Sequence, residues 1–239
     1  MLEVTDLHVS YGPVRAVHGV SLTATAGQVT LVLGANGAGK TTSLRAIAGF
    51  HKPDAGSVWF DGRDITGMAA HRVVRRGMVL VPEGRKIFLP LTVEENLRMG
   101  GYAAPKGSVE KGIEEIYQTF PILAERRHAQ AGLLSGGEQQ MLAFGRALMS
   151  RPKLMLMDEP SMGLAPAMVE RVLSSVRAMA DTGIGILMVE QNAEAGLRIA
   201  DTVAVVSRGE TVWTGTADEA RDSKAIVHAM LGEAALDGV

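Results

Sequence analysis

Leu2 to Tyr11 and Val14 to Ala26 carry β-branched residues in rough alternation with polar ones. That period of two predicts a pair of antiparallel strands. Val29 to Leu33, VTLVL, has no polar face and predicts a short strand buried on both sides. A glycine-rich loop comes next, then a helix over Thr41 to Phe50. Ser57 to Asp61 predicts a strand entering a turn at Asp61-Gly62, and Gly77 to Val81 another short strand.

From about Thr92 to Leu134 the period changes. The segments VEENLRMGGY, VEKGIEEIYQTFPIL and LAERRHA predict helices that are partly exposed, an inserted helical subdomain. Helix and strand then alternate. Glu138 to Met149 places Met141, Phe144, Gly145 and Leu148 on one helical face, and Val169 to Met179 repeats that spacing. Leu154 to Met157 and Ile184 to Val189 predict buried strands. Thr202 to Val206 and Glu210 to Thr214 predict a closing hairpin, Ala225 to Leu231 a short helix, and EAALDGV a frayed tail.

Composition narrows the function classes. The chain has 239 residues, 46% hydrophobic and 21% charged, the profile of an ordinary globular domain. Its net charge of −2 supplies no general field toward nucleic acid or an anionic membrane. With no cysteine there is no disulfide, zinc thiolate site or cysteine nucleophile. MLEVTDLHVSYG lacks the basic start and apolar run of a signal peptide. The uncharged span between Arg15 and Lys40 is interrupted by glycines, threonines and Gln28, so it does not predict a membrane helix. Any link to a membrane is expected to run through a partner. The six histidines show no metal-ligand spacing and read as surface or core residues.

Gly34, Ala35, Asn36, Gly37, Ala38, Gly39, Lys40 and Thr41 match G-x-x-x-x-G-K-[ST] between a predicted strand and a predicted helix. Glycines let backbone N–H groups turn inward around phosphate oxygens, and the helix N-terminus adds partial positive charge. Thr42 continues that first turn. Lys40 would reach the β- and γ-phosphates, and Thr41 would ligate Mg²⁺. LMLMDEP ends a buried strand in two carboxylates: Asp158 would hold Mg²⁺ and Glu159 would polarise the attacking water. LSGGEQQ supports two readings. Ser135 and Glu138 form a capping-box pattern, and Ser135, Gly136 and Gly137 at a bare helix N-terminus suit a second anion.

GANGAGKT, LSGGEQQ and LMLMDEP together resemble the ATP-binding-cassette family of transporter ATPases over nearly the whole chain. The resemblance implies an α/β fold: a P-loop NTPase core with a mixed, mainly parallel sheet, an antiparallel N-terminal β-subdomain and an inserted helical subdomain. The core would span 1–91 and 151–239 and the helical part 92–150. It further implies two cassettes enclosing two ATP molecules with Mg²⁺, the phosphate loop coming from one subunit and Ser135, Gly136 and Gly137 serving the other's nucleotide. Tyr11 matches the aromatic that stacks on adenine.

Departures from the family pattern carry their own information. Glu83 stands where most such cassettes have a glutamine linking Mg²⁺ and the attacking water to the membrane partner. Gln191 stands where most have a histidine on the γ-phosphate; its amide donates a hydrogen bond but cannot become cationic. Ala165 replaces a common aspartate. VPEGRKIF, LTVEENLRMGG, DEPSMGLAP and VEQNAEAGLRIAD together resemble one cassette of branched-chain amino-acid importers, with urea and short-chain amide importers as neighbours. That resemblance implies a second cassette subunit (in a heterodimer or a homodimer), two transmembrane permease subunits and an extracytoplasmic solute-binding protein, with no nucleic acid. The chain would sit at the cytoplasmic face of the cell membrane. The other readings are a regulatory cassette that closes on ATP but hydrolyses weakly, and a soluble cassette of DNA repair or translation. The latter usually has a coiled-coil insertion or a tandem cassette, which this chain lacks.

Overall fold

A computed structural model describes residues 1–104 and 107–222. In chain order the strands are β1 (Leu2–Tyr11), β2 (Val14–Ala24), β3 (Val29–Leu33), β4 (Ala55–Phe60), β5 (Arg63–Asp64), β6 (Met78–Val81), β7 (Leu154–Asp158), β8 (Gly185–Val189), β9 (Thr202–Ser207) and β10 (Glu210–Thr216). The helices are α1 (Lys40–Ile47), α2 (Ala70–Arg75), α3 (Val93–Gly100), α4 (Val109–Thr119), α5 (Pro121–Glu125), α6 (Gly136–Leu148), α7 (Pro166–Asp181), α8 (Ala193–Leu197) and α9 (Ala217–Arg221).

The strands form one ten-stranded sheet in the order β5-β4-β1-β2-β10-β9-β3-β8-β7-β6. The run β9-β3-β8-β7-β6 is parallel. The end β5-β4-β1-β2 is antiparallel. The two halves meet at the single ladder pair Glu210↔Gly19.

Every residue of β3, β7 and β8 is buried, which is why their sequences show no polar face. Alternate side chains feed two apolar layers. Met155, Met157, Ile186 and Met188 pack with Met141 and Phe144 of α6 and Val172 and Val176 of α7. Leu154, Leu156, Leu187 and Val189 face Leu44 and Ile47 of α1 and the inner positions of β1 and β2. The first layer continues without a break into α3, α4 and α5 through Leu97, Ile116 and Leu123. The helical stretch is therefore packed onto the sheet by one shared core.

The periodicity found the long elements and missed short ones. Helix α2, strand β5, and helices α8 and α9 are too brief to display a period. Helix α1 ends at Ile47 rather than at the expected Phe50. Gly49 adopts φ +79, and the Gly49 N–H donates to Ala46 O at 3.0 Å while Phe50 N–H donates to Arg45 O at 2.9 Å. That pair of bonds is a Schellman stop, and it needs a left-handed residue. The expected helix Ala225 to Leu231 and the EAALDGV tail lie outside the described residues.

Gly49 supplies a test of this packing. A Cβ there would lie 2.1 Å from the Met68 carbonyl oxygen, so substitution adds a backbone clash to left-handed strain. Gly49→Ala is expected to destabilise the protein by more than the roughly 1–2 kcal/mol of the strain alone, read as a lower urea midpoint at unchanged slope.

Candidate functional site

Parallel register decides which residues meet. β3, β8, β7 and β6 all point the same way, with Val32 opposite Val189, Asp158 opposite Val189 and Val81 opposite Met157. Their carboxyl ends therefore release four loops side by side, the usual place for a ligand in such sheets. β3 delivers the Gly34–Lys40 loop, β7 delivers Asp158 and Glu159, β8 delivers Gln191, and β6 delivers Glu83. The hairpin end of β1 adds Tyr11. Tyr11, Asn36, Lys40, Glu83, Glu159 and Gln191 border one open cleft of about 510 Å³, within the range of ligand sites. Gly37, Gly39, Thr41 and Thr42 line its floor.

The loop after β3 is shaped for an anion. Gly39 sits at the N-cap of α1 with φ 98, and no side chain caps that helix or puts an acid in its first turn. The first-turn amides of α1 are thus left to a ligand. A Cβ on Gly39 would approach Ala16 O to 2.7 Å, which requires glycine there. Gly34, Ala35 and Ala38 stand behind the cleft: Lys40 Nζ donates to Gly34 O at 2.8 Å and Ala35 O at 3.0 Å. These bonds hold the ammonium inside the loop.

Beneath the loop, Thr41 Oγ1 donates to Asp158 Oδ1 at 2.9 Å. A hydroxyl and a carboxylate so joined, with the Glu83 carboxylate on the cleft rim, are hard oxygen donors of the kind Mg²⁺ takes. Burial pushes the Asp158 carboxyl above its ordinary range; the Thr41 bond opposes this and the Glu83 charge reinforces it. Burial likewise raises Glu159, with Lys40 opposing and Asp158, Glu83 and Glu190 adding repulsion. Burial lowers Lys40 despite the attraction of Glu159 and Asp158. The pocket holds more negative charge than its one ammonium offsets, which suits a cation. Glu159 also has φ +48, a left-handed backbone uncommon for a residue that is not glycine. Its N–H closes the ladder on Val189 O at 2.9 Å.

Several contributors were invisible in the sequence. Glu83, Gly84, Arg85 and Lys86 turn sharply, the last three with φ of 71, 65 and 48. Arg85 is half-buried and donates through Nη1 to Gln139 Oε1 of α6 at 3.0 Å. His51 is not a bystander: its ring lies 4.6 Å from that of Tyr11, and its Nε2 bonds Ser10 O at 3.0 Å. Glu190, buried at 2% exposure, accepts from Ser161 N–H at 2.8 Å. The pattern of an apolar strand ending in an acid, already used to single out Asp158, would have found it.

Ser135, Gly136 and Gly137 do not border this cleft. They open α6, where Ser135 N–H donates to Glu138 Oε2 at 2.7 Å and Glu138 N–H donates to Ser135 Oγ at 3.4 Å, the expected capping box. The cap uses Ser135 Oγ as an acceptor and leaves its O–H proton for another partner.

Comparisons place this geometry among known proteins. A family model described as ABC transporter matches residues 17–162. The chain is 41% identical over 216 residues to the high-affinity branched-chain amino acid transport ATP-binding protein BraG of Pseudomonas aeruginosa, covering 90% of this chain and 93% of that protein. It is 31% identical over 237 residues to the lipopolysaccharide export system ATP-binding protein LptB of Haemophilus influenzae, covering 98% of each. It is similar to a solved ATP-binding cassette of an ABC transporter in its ADP conformation, with a TM-score of 0.88 at 30% identity, covering 98% of this chain and 99% of that one.

The raised carboxyls fix a sign for pH. Between the ordinary carboxyl range and its raised value, Glu159 binds more protons folded than unfolded, so its contribution to stability falls as pH rises through that window. In chelator without nucleotide, Glu159→Gln is expected to be more stable than wild type at pH 8, by no more than about 1 kcal/mol because solvent screens this partly exposed carboxyl. The difference should shrink toward pH 5. Urea midpoints of both proteins at the two pH values decide this.

Proposed function

The chain belongs to the ABC transporter family as one of its ATP-hydrolysing cassettes, and we propose that it powers a membrane importer, with branched-chain amino acids as the favoured cargo. Its triphosphate site is the cleft at the carboxyl ends of β3, β6, β7 and β8. The observation that carries this reading is the Thr41–Asp158 bond at 2.9 Å, which joins the anion-binding loop to the acidic strand end under one cleft.

In this reading the α1 amides and Lys40 bind the β- and γ-phosphates, releasing the ammonium from Gly34 O and Ala35 O. Tyr11, backed by His51, supports the adenine; stacking of this kind is worth about 1–3 kcal/mol in single-strand binders. Mg²⁺ held by Thr41, Asp158 and Glu83 would supply charge neutralisation at the phosphates. Glu159 orients the attacking water and draws its proton, helped by the raised carboxyl. Gln191 donates its amide N–H to the γ-phosphate. Most of the acceleration is positioning and electrostatic stabilisation.

A second subunit completes the chemistry. Ser135, with its hydroxyl proton unspent, and the amides of Gly136 and Gly137 would bind the terminal phosphate of a partner cassette, different from this chain or a second copy. ATP would bridge the two, and hydrolysis would let them part. A groove of about 320 Å³ beside Glu83, lined by Pro82, Lys86, Phe88, Met99 and Arg146, suits a cytoplasmic helix of a permease. Arg146 lies 5.4 Å over the Phe88 ring. Among the described residues no helix is long and apolar enough to cross a membrane. Two permeases would hold the chain at the cytoplasmic membrane face, with an extracytoplasmic binding protein feeding them. Cargo is the finer claim: BraG supports branched-chain amino acids, and LptB shows that a similar chain serves an export system instead. Gln191 and Ala165 favour a second reading, a regulatory cassette with slow turnover of its own.

The test is hydrolysis by the assembled transporter in proteoliposomes with its binding protein. Glu159→Gln is expected to cut turnover at least about a hundredfold while leaving ATP binding intact, and Lys40→Ala to abolish binding. Leucine, isoleucine or valine should stimulate turnover where urea does not. Turnover indifferent to Glu159→Gln assigns the regulatory role.

A further inference from the structure

Beyond the candidate site's own residues stands one buried carboxylate that the chemistry above leaves unused. Glu190 comes directly after β8 and precedes Gln191. β7 and β8 pair as far as Asp158 opposite Val189, and the last rung is Glu159 N–H to Val189 O at 2.9 Å. Past that rung the strands separate, and Glu190 N–H turns to Val32 O at 3.5 Å on the other side. The Glu190 side chain crosses the gap and accepts Ser161 N–H at 2.8 Å through Oε1. Burial pushes the Glu190 carboxyl above its ordinary range, and the Ser161 hydroxyl and N–H and the backbone N–H groups of Asn192 and Gln191 oppose that rise. One carboxylate thus gathers donors from both loops.

Those loops hold the two ends of the proposed reaction. Ser161 is two residues beyond Glu159 and opens the segment Ser161–Ala165 that leads into α7. Gln191 borders the cleft. We propose that Glu190 is a positioning residue for hydrolysis: it locks Gln191 to the Ser161–Ala165 loop, so that engagement of the γ-phosphate at Gln191 also sets that loop. This rests on the reading of the cleft as an ATP site. A carboxylate is suited to the task because it accepts only: the groups that hydrogen-bond to it, from Ser161 and the Gln191 and Asn192 backbone, are N–H or O–H donors, set against repulsion from the Glu159 charge. An amide of the same length turns its NH₂ against some of those donors.

The experiment compares Glu190→Gln, Glu190→Asp, Gln191→Ala and the double variant Glu190→Gln/Gln191→Ala in the assembled transporter, beside Glu159→Gln. Glu190→Gln should lower kcat by about tenfold to a hundredfold with KM and ATP Kd within about twofold. Glu190→Asp, which keeps an acceptor-only group, should recover part of the rate. The double variant should be no slower than Gln191→Ala, because Glu190 acts through Gln191. Hydrogen exchange supplies a readout independent of turnover: ATP should protect the Ser161–Ala165 amides in wild type and fail to do so in Glu190→Gln at saturating ATP. Effects that multiply in the double variant, or equal protection in both proteins, overturn the proposal. Should Glu190→Gln not fold, the same comparisons are made with Glu190→Asp, where partial loss of rate and protection is expected and none overturns it. Turnover insensitive to Glu159→Gln overturns the ATP-hydrolysis reading instead, and the exchange result still judges the Glu190 link.

Discussion

Like charges crowd one end of a buried sheet, and the rest of the site is arranged around that fact. Glu83 repels Asp158, and Asp158, Glu83 and Glu190 repel Glu159, with the Lys40 ammonium attracting both Asp158 and Glu159. Burial makes the charges of Asp158, Glu159 and Glu190 more costly to leave unpaired. A protein selected for stability alone would fill such a place with apolar side chains. Here the imbalance is retained where backbone amides and one ammonium are aimed at an anion, and oxygen donors at a cation. Magnesium and triphosphate together would balance both sets.

The sheet end was legible in the sequence because it obeys local rules. VTLVL, LMLM and GILMV have no polar face, so they are central strands, and the loops leaving them must emerge at a common edge if they run parallel. The glycine loop declared itself by spacing, and the box at Ser135 by a serine and a glutamate at capping distance. Other parts were hidden because they depend on contacts between distant residues. Nothing near Arg85 announces Gln139. Nothing near His51 announces the Tyr11 ring. The Gly49 stop was hidden because apolar content continues through it to Phe50, and only the left-handed turn reveals the end. Glu190 obeys the same rule as Asp158, an acid closing an apolar strand, but its neighbour Gln191 makes the more conspicuous departure.

Two loops leave the cleft toward the helical stretch by different routes. The Glu83 turn reaches α6 through Arg85 and Gln139, and Gln139 Nε2 in turn donates to Leu134 O at 3.2 Å just before Ser135. The loop beyond Glu159 reaches α7 through Ser161. The Glu83 turn is therefore joined by hydrogen bonds to the residue just before the Ser135 cap. That course crosses a shared core rather than a flexible linker.

The junction between the two halves of the sheet, where Glu210 pairs with Gly19 and Ser21 N–H donates to Thr211 Oγ1 at 3.0 Å, has a consequence for what the chain recognises. Tyr11 belongs to the antiparallel half and the glycine loop to the parallel half, and the apolar layer shared by β1, β2, α1, β7 and β8 fixes the two against each other. Reading base identity requires donors and acceptors placed around the base edges, and a half-exposed tyrosine ring offers a flat surface instead. On the proposed reading such a chain would take its grip mainly from the phosphates and little of its selectivity from the base.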